Sequence, residues 1–314
     1  MTLQSVATTT RSCSPLPWLV LTSALLIGGC SSSATAPSTT STTTTTVTQT
    51  TPITKPACTT WAATLKGSDL TAASGTRATY RDALLAAGGG VKAVNGKSYA
   101  VWFPTNWAAS SPRRVIFGLH GTDGNAEEDW WFNWKSTISD RNYAYIGLTY
   151  LDSSSGMYDD EPAAYANIKL ALDDIKASCD FGSPAIDLVG FSRGSAMTFG
   201  VSYLDLKDRR FFKAFGENSG AVPPGTPPTP TVSAFMARNE TTAYAGGRFW
   251  MYCGEKDMSH GSPMCDEMTT AKTFVTTYAG TVGDLYRDPT GTHGSLNSNP
   301  SALAAMYAYF ESVP

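Results

Sequence analysis

The stretch Gly190-Phe191-Ser192-Arg193-Gly194 constrains this chain more than any other. A short apolar run of strand type, Ala185-Ile186-Asp187-Leu188-Val189, leads into it, and Ser195 to Leu204, which can form a helix, leads out. Passing from strand to helix through so sharp a turn forces the central serine onto strained backbone angles. Glycines two residues to either side let the strand and the helix approach each other without a side-chain collision. The turn lifts the Ser192 hydroxyl to the carboxyl edge of a sheet, which is the nucleophile-elbow pattern.

The rest of the chain alternates in a way that supplies such a sheet. Residues 91–94 and 97–103 flank Asn95-Gly96 and read as a hairpin closed by a type I′ turn. Arg114 to Leu119 and Ala144 to Thr149 read as buried strands, and Asn125 caps a helix that opens on Ala126-Glu127-Glu128, whose acids suit the positive helix end. Pro162 opens another helix, with Tyr165, Ile168, Leu172 and Ile175 on one face. Phe249 to Tyr252 is a later strand, followed by a helix through Met268 to Tyr278. A short strand near 284–286 and a closing helix over 301–310 complete the pattern. An antiparallel hairpin followed by alternating strands and helices predicts an α/β fold of the α/β-hydrolase kind: a mostly parallel central sheet with helices on both faces. Pro223 to Pro230 reads as a rigid proline-rich loop.

The N-terminus stands apart. Trp18 to Ile27 is an apolar stretch shorter than a membrane span, and it ends in Gly28-Gly29-Cys30. Small residues before a cysteine at this place resemble a bacterial lipobox, which implies a signal peptide over 1–29 and a lipid on the Cys30 thiol; an ordinary secretory signal is the alternative, and both export the protein. Residues up to 57 are almost wholly Ser, Thr, Pro and Ala and predict a disordered tether over 30–57, leaving 58–314 as one catalytic domain. Of six cysteines, Cys13 lies in the signal and Cys30 at the anchor. The other four allow three pairings. Cys253–Cys265 closes a short loop and is the favoured one, leaving Cys58–Cys179, with buried free thiols as the alternative. A net charge of −3 with no basic run points away from nucleic acid. No metal or cofactor is expected, and a monomer is.

A serine is a weak nucleophile until a base takes its proton. The chain has three histidines, and His293 follows the last strand, where this fold puts the base. Asp257, in Cys253-Gly254-Glu255-Lys256-Asp257, follows the preceding strand and is the expected acid, giving the order Ser192, Asp257, His293. His260 as base, and Glu255 or Asp288 as acid, are the rivals. Leu119-His120-Gly121-Thr122-Asp123-Gly124 follows an earlier strand and reads as the oxyanion loop, with the Thr122 and Arg193 N–H groups as donors and His120 shaping the loop. Trp130, Trp131, Phe132 and Trp134 crowd the next helix. Trp130 and Trp131 are the candidates for lining a substrate cleft, with core packing as the other reading.

Leu-His-Gly-x-x-Gly-Asn at 119–125, G-x-S-x-G at 190–194, Gly-x-x-Asp at 254–257 and His293 together resemble the secreted esterases of the α/β-hydrolase superfamily. That group includes polyhydroxybutyrate depolymerases and the feruloyl and acetylxylan esterases of carbohydrate esterase family 1. Such relatives often carry a second glycine after the elbow, where this chain has Ser195. The resemblance implies a serine carboxylesterase working through an acyl-enzyme on small, polyester or plant-polysaccharide esters. A serine peptidase of the same fold and a noncatalytic surface-binding protein are the alternatives.

Overall fold

The computed structural model describes residues 54–67, 75–152, 156–220, 230–259 and 261–314. The proposed leader with Cys13, the proposed anchor at Cys30, most of the proposed tether, the prolines of 223–228 and His260 lie outside the described residues. Eight strands make one sheet: β1 (Gly90–Val94), β2 (Lys97–Trp102), β3 (Arg114–Leu119), β4 (Tyr143–Thr149), β5 (Ala185–Phe191), β6 (Phe212–Asn218), β7 (Arg248–Gly254) and β8 (Thr281–Asp288). Their order is β1-β2-β4-β3-β5-β6-β7-β8. β1 and β2 pair antiparallel, β2 pairs antiparallel with β4, and every later pairing is parallel.

Local chemistry explains the hairpin. Asn95 and Gly96 both have positive φ, 47° and 75°, as a type I′ turn requires, and Val94 pairs with Lys97 across it. The central parallel strands have helices over both faces, so they are apolar along their length: all seven residues of β4 are buried. β8 is, with β1, one of the two edge strands. It is longer than its short apolar segment predicts and largely exposed, with a register irregularity between Val282 and Asp284.

The helices are α1 (Cys58–Ala62), α2 (Gly75–Ala86), α3 (Ala126–Asp129), α4 (Glu161–Ser178), α5 (Arg193–Lys207), α6 (Pro230–Ala237), α7 (Met264–Thr277) and α8 (Pro300–Ser312). One face of the sheet packs against α1, α4, α5, α6 and α7, with Tyr165, Ile168, Leu172, Ile175, Phe199 and Met268 in the core. The other face packs against α2, α3 and α8 through Leu84, Trp130, Trp134, Met306 and Phe310. Pro230, read as the end of a loop, opens α6 instead, because a proline at the first helical position lacks only an N–H that would be unpaired anyway.

The helix expected from Ala126 is short. Asn125 caps it, its Oδ1 accepting from Glu128 N–H at 2.9 Å. After Asp129 the chain widens into a π-helical turn over Trp130–Trp134. Both disulfides form in the favoured pairing, Cys58–Cys179 and Cys253–Cys265. Just ahead of α1, the Pro56 carbonyl accepts from Asp180 N–H at 2.8 Å, so the chain is already packed on the domain there. Among the described residues, no helix is long and apolar enough to cross a membrane.

Candidate active site

Ser192 sits between β5 and α5 at φ 54° and ψ −116°, a region that L-residues other than glycine occupy only under strain. The flanking glycines are the condition for it. A Cβ on Gly190 would stand 2.2 Å from the Gly194 carbonyl oxygen, and one on Gly194 would stand 2.0 Å from that of Leu119. The Ser192 N–H donates to the Asn218 carbonyl at 2.8 Å, tying the turn to the end of β6.

The loops after β7 and β8 meet. His293 Nδ1 lies 2.7 Å from Asp257 Oδ2, and the Asp257 side chain is almost fully buried. Burial alone would raise the Asp257 carboxyl, but hydrogen bonds from His293 and Ser259 outweigh it and hold it below its ordinary value. An ionised Asp257 makes Nδ1 the protonated nitrogen, which leaves Nε2 with the lone pair. The His293 ring packs on Phe191, centroids 5.0 Å apart, so the histidine stands against the residue next to Ser192.

Asp288 fastens the His293 loop. Its Oδ1 accepts from Thr290 N–H, Thr290 Oγ1 and Gly291 N–H at 3.0 to 3.1 Å, and its Oδ2 accepts from Asn299 at 2.7 Å and Tyr252 at 3.0 Å. These donors, Asn299 foremost, pull its carboxyl down to about 2. Asp288 is therefore engaged in holding the loop. Glu255 is engaged as well, accepting from Arg287 Nε at 2.6 Å and Nη2 at 3.0 Å.

The loop after β3, expected from sequence to hold the oxyanion, is shaped by His120, which is buried and stacked on Tyr150 at 4.2 Å. Tyr150 N–H donates to His120 Nε2 at 3.3 Å, so Nδ1 carries the proton and donates to the Gly121 carbonyl at 2.7 Å. Burial, followed by the charges of Arg77 and Arg193, lowers the imidazole to about 4 and keeps it neutral. The loop runs beside the elbow: a Cβ on Gly121 would touch Ser192 Cβ at 3.5 Å. Thr122 N–H has no partner among the described residues, and Arg193 opens α5, so its N–H has no acceptor within the helix. Two unpaired backbone donors thus flank the serine.

Next to them lies a cavity of about 270 Å³, walled by Thr122, Phe132 and Phe191, with Asn133, Asn297 and Asp129 supplying its polar side. Asn297 donates to Asn133, which donates to Asp129 Oδ1 at 2.6 Å; Trp134 and Tyr145 reach Asp129 Oδ2 at 3.0 and 2.8 Å. Burial raises the Asp129 carboxyl to about 6 against the effect of these bonds.

Trp130 does not reach this cavity. It is 1% exposed and belongs to the core, because the π-turn keeps both Trp130 and Trp134 on the inner side. Trp131 is half-buried outside the cavity wall, with Lys135 Nζ 3.7 Å over its ring. Phe132, 54% exposed, is the aromatic of this run that lines the cavity. Ser195 Oγ lies 3.0 Å from Glu217 Oε2 and 2.5 Å from the Gly220 carbonyl. Burial pushes the Glu217 carboxyl well up, against the effect of the Ser195 hydrogen bond. Sequence reasoning missed Ser259, whose Oγ lies 3.1 Å from His293 Nδ1, and the Asp129–Asn133–Asn297 chain. Neither carries a pattern that a linear reading detects.

Sheet order, elbow and loop placement together define an α/β-hydrolase fold. No protein-family model matches the chain, and no curated protein does. Solved structures do. A fungal esterase from Rhizomucor miehei is 13% identical, the match covering 71% of this chain and 82% of that one with a TM-score of 0.54. Esterase B from Lactobacillus rhamnosis is 13% identical over 69% of this chain and 80% of its own, at 0.52. The Francisella virulence factor BioJ is 14% identical over 70% and 83%, at 0.50. At such identities the likeness is one of fold.

Proposed function

We propose that the protein is a serine carboxylic-ester hydrolase. The observation that carries the reading is the 2.7 Å contact between His293 Nδ1 and Asp257, set against a serine held at positive φ on the adjoining elbow. In this mechanism His293 Nε2 takes the proton from Ser192 as its Oγ attacks the ester carbonyl. Asp257 holds the imidazole in the required tautomer and stabilises the imidazolium. The N–H groups of Thr122 and Arg193 receive the developing oxyanion. His293 then protonates the leaving alcohol, and water, activated by the same histidine, releases the acid from the acyl-enzyme. The two solved structures described by name as esterases support the class of reaction. The substrates we favour are small, polyester or plant-polysaccharide esters.

The test is hydrolysis of 4-nitrophenyl acetate, butyrate and octanoate beside methyl ferulate, with Ser192→Ala as the control. Activity falling by about 10³-fold or more in the variant is expected. A wild type inert on all esters and unlabelled at Ser192 by a fluorophosphonate would overturn the reading.

The same proposal places a signal peptide at 1–29, a lipidated Cys30 with a tether over 30–57, and the catalytic domain at 58–314. Two disulfides fit an oxidising compartment and support export. Cys30→Ser is expected to move the protein from the membrane to the soluble exported fraction; an unchanged distribution would rule out the anchor.

A further inference from the structure

The Arg193 side chain has no part in the mechanism above, which uses only its backbone. Its guanidinium lies 4.0 Å over the Tyr158 ring. Tyr158 is itself tied to the oxyanion loop: its hydroxyl accepts from Asp123 N–H at 2.6 Å and faces Asp123 Oδ1 at 3.3 Å. Stacking on an aromatic face leaves the donors in the guanidinium plane uncommitted. Among the described residues no carboxylate or carbonyl takes them, and Nε is buried without an acceptor.

Arg77 and Arg81 share the unpaired Nε, but the guanidiniums of the other half-buried arginines all reach an acceptor: Arg77 pairs with Glu127, Arg81 with Asp82 and Arg113 with Asp180, and Arg114 donates to the Phe310 carbonyl. A partly buried cation with an unpaired inner nitrogen is costly unless something else meets it. Arg193 follows Ser192 directly and begins a 15-residue helix, whose positive end adds to its charge. Glu128 and Asp129 stand on the cavity wall, so the site is polarised, with acid in the cavity and the cation at the elbow.

We propose that Arg193 is a specificity-determining residue whose guanidinium binds a carboxylate carried by the substrate within a few bonds of the scissile ester. The planar fork matches a carboxylate bidentately, and its place beside the nucleophile limits how far the anion can lie from the reacting carbonyl. The substrate class is then acidic esters: half-esters of dicarboxylic acids, or acylated hydroxy acids. Any neutral or hydroxyl-bearing portion belongs on the Asp129 side. The inference rests on the ester-hydrolase reading.

The test compares matched pairs in which a neutral group replaces the carboxylate. On the acyl side these are mono-4-nitrophenyl glutarate and 4-nitrophenyl pentanoate; on the alcohol side they are 3-acetoxybenzoate and 3-acetoxybenzamide. Wild type should prefer the anion in at least one pair by about tenfold or more in kcat/KM. High salt should shrink that preference. Arg193→Gln should bring the ratio close to one, mainly through KM, and Arg193→Lys should keep part of it. Each ratio is taken within one enzyme, so a general loss of activity does not disturb the reading. A wild type that hydrolyses the neutral esters without preferring either anion, or a preference that survives in Arg193→Gln, overturns the assignment and leaves the esterase intact. Failure of every ester together with no fluorophosphonate labelling overturns the esterase reading, and this assignment with it.

Discussion

In the proposed mechanism Asp257 acts on His293 with help from a neighbour two residues on. Ser259 N–H donates to Asp257 Oδ1 at 3.0 Å, and Ser259 Oγ stands 3.1 Å from the nitrogen that Asp257 already engages. The hydroxyl shares the Nδ1 proton with the carboxylate and limits rotation of the ring. It touches neither substrate nor the reacting atoms, so it is a positioning residue. Removing it costs one hydrogen bond of about 1 kcal/mol, or roughly fivefold in rate. Ser259→Ala should lower kcat by about that factor with KM unchanged, and Ser259→Thr should restore most of it. Steady-state kinetics on a nitrophenyl ester decides the matter: a fall in KM alone, or no rescue by threonine, would assign Ser259 another role.

At the scale of elements, the strand that delivers Ser192 contains an acid in its interior. Asp187 is fully buried in the middle of β5, and burial pushes its carboxyl up to about 8 despite the opposing pull of Arg114. The unfolded chain releases this proton near pH 4, while the folded chain keeps it to about pH 8. Between those values the native state binds more protons than the unfolded state. The contribution of Asp187 to stability is therefore most favourable below about pH 4, declines as pH rises, and levels off above about pH 8. Asp187→Asn cannot ionise, so it should unfold at a higher temperature than wild type at pH 8, with the gain shrinking towards pH 5. Thermal melts at the two pH values check this, and an equal shift at both would show that ionisation is not the cause. At the carboxyl end of β8, Asp288 has the opposite sign. Its carboxyl, held near 2, adds stability that is present above about pH 4 and is lost as pH falls towards 2.

Across the whole molecule, the two disulfides divide the labour. Cys58–Cys179 spans 121 residues and joins α1 to the residue that ends α4. Cys253–Cys265 spans 12 residues and joins β7 to α7 on either side of Asp257 and Ser259. Loop-closure entropy assigns about 4–5 kcal/mol to the long bridge and about 3 kcal/mol to the short one. The Cys58→Ser/Cys179→Ser variant should lose more unfolding free energy yet keep kcat at low temperature. The Cys253→Ser/Cys265→Ser variant should lose less stability and more kcat. Denaturant melts with parallel kinetics test the division, and the reverse order in both readouts would refute it.

Much of this was legible in the chain, because the signals were local. The hairpin at Asn95-Gly96, the cap at Asn125 and the elbow at Ser192 each follow from residues within a few positions of one another, and a positive φ or a crowded glycine declares itself over that range. The order Ser192, Asp257, His293 could be read because this fold puts loops at strand ends in a fixed succession. β6 and α6 were less legible: their residues alternate weakly, and only burial between neighbours selects strand or helix. Trp130 went to the core and Phe132 to the cavity because a π-turn, which has no sequence signature, rotated the aromatic run. The chain alone thus determined the architecture, which rests on local periodicity and turn geometry, and named the residues proposed to carry the chemistry. Tertiary structure decided which carboxylates are occupied and which polar groups stay free. Asp288 and Glu255 are taken, Asp257 faces His293, and Arg193 has no acceptor among the described residues, since partners 30 or more positions apart are chosen by how the loops converge in space.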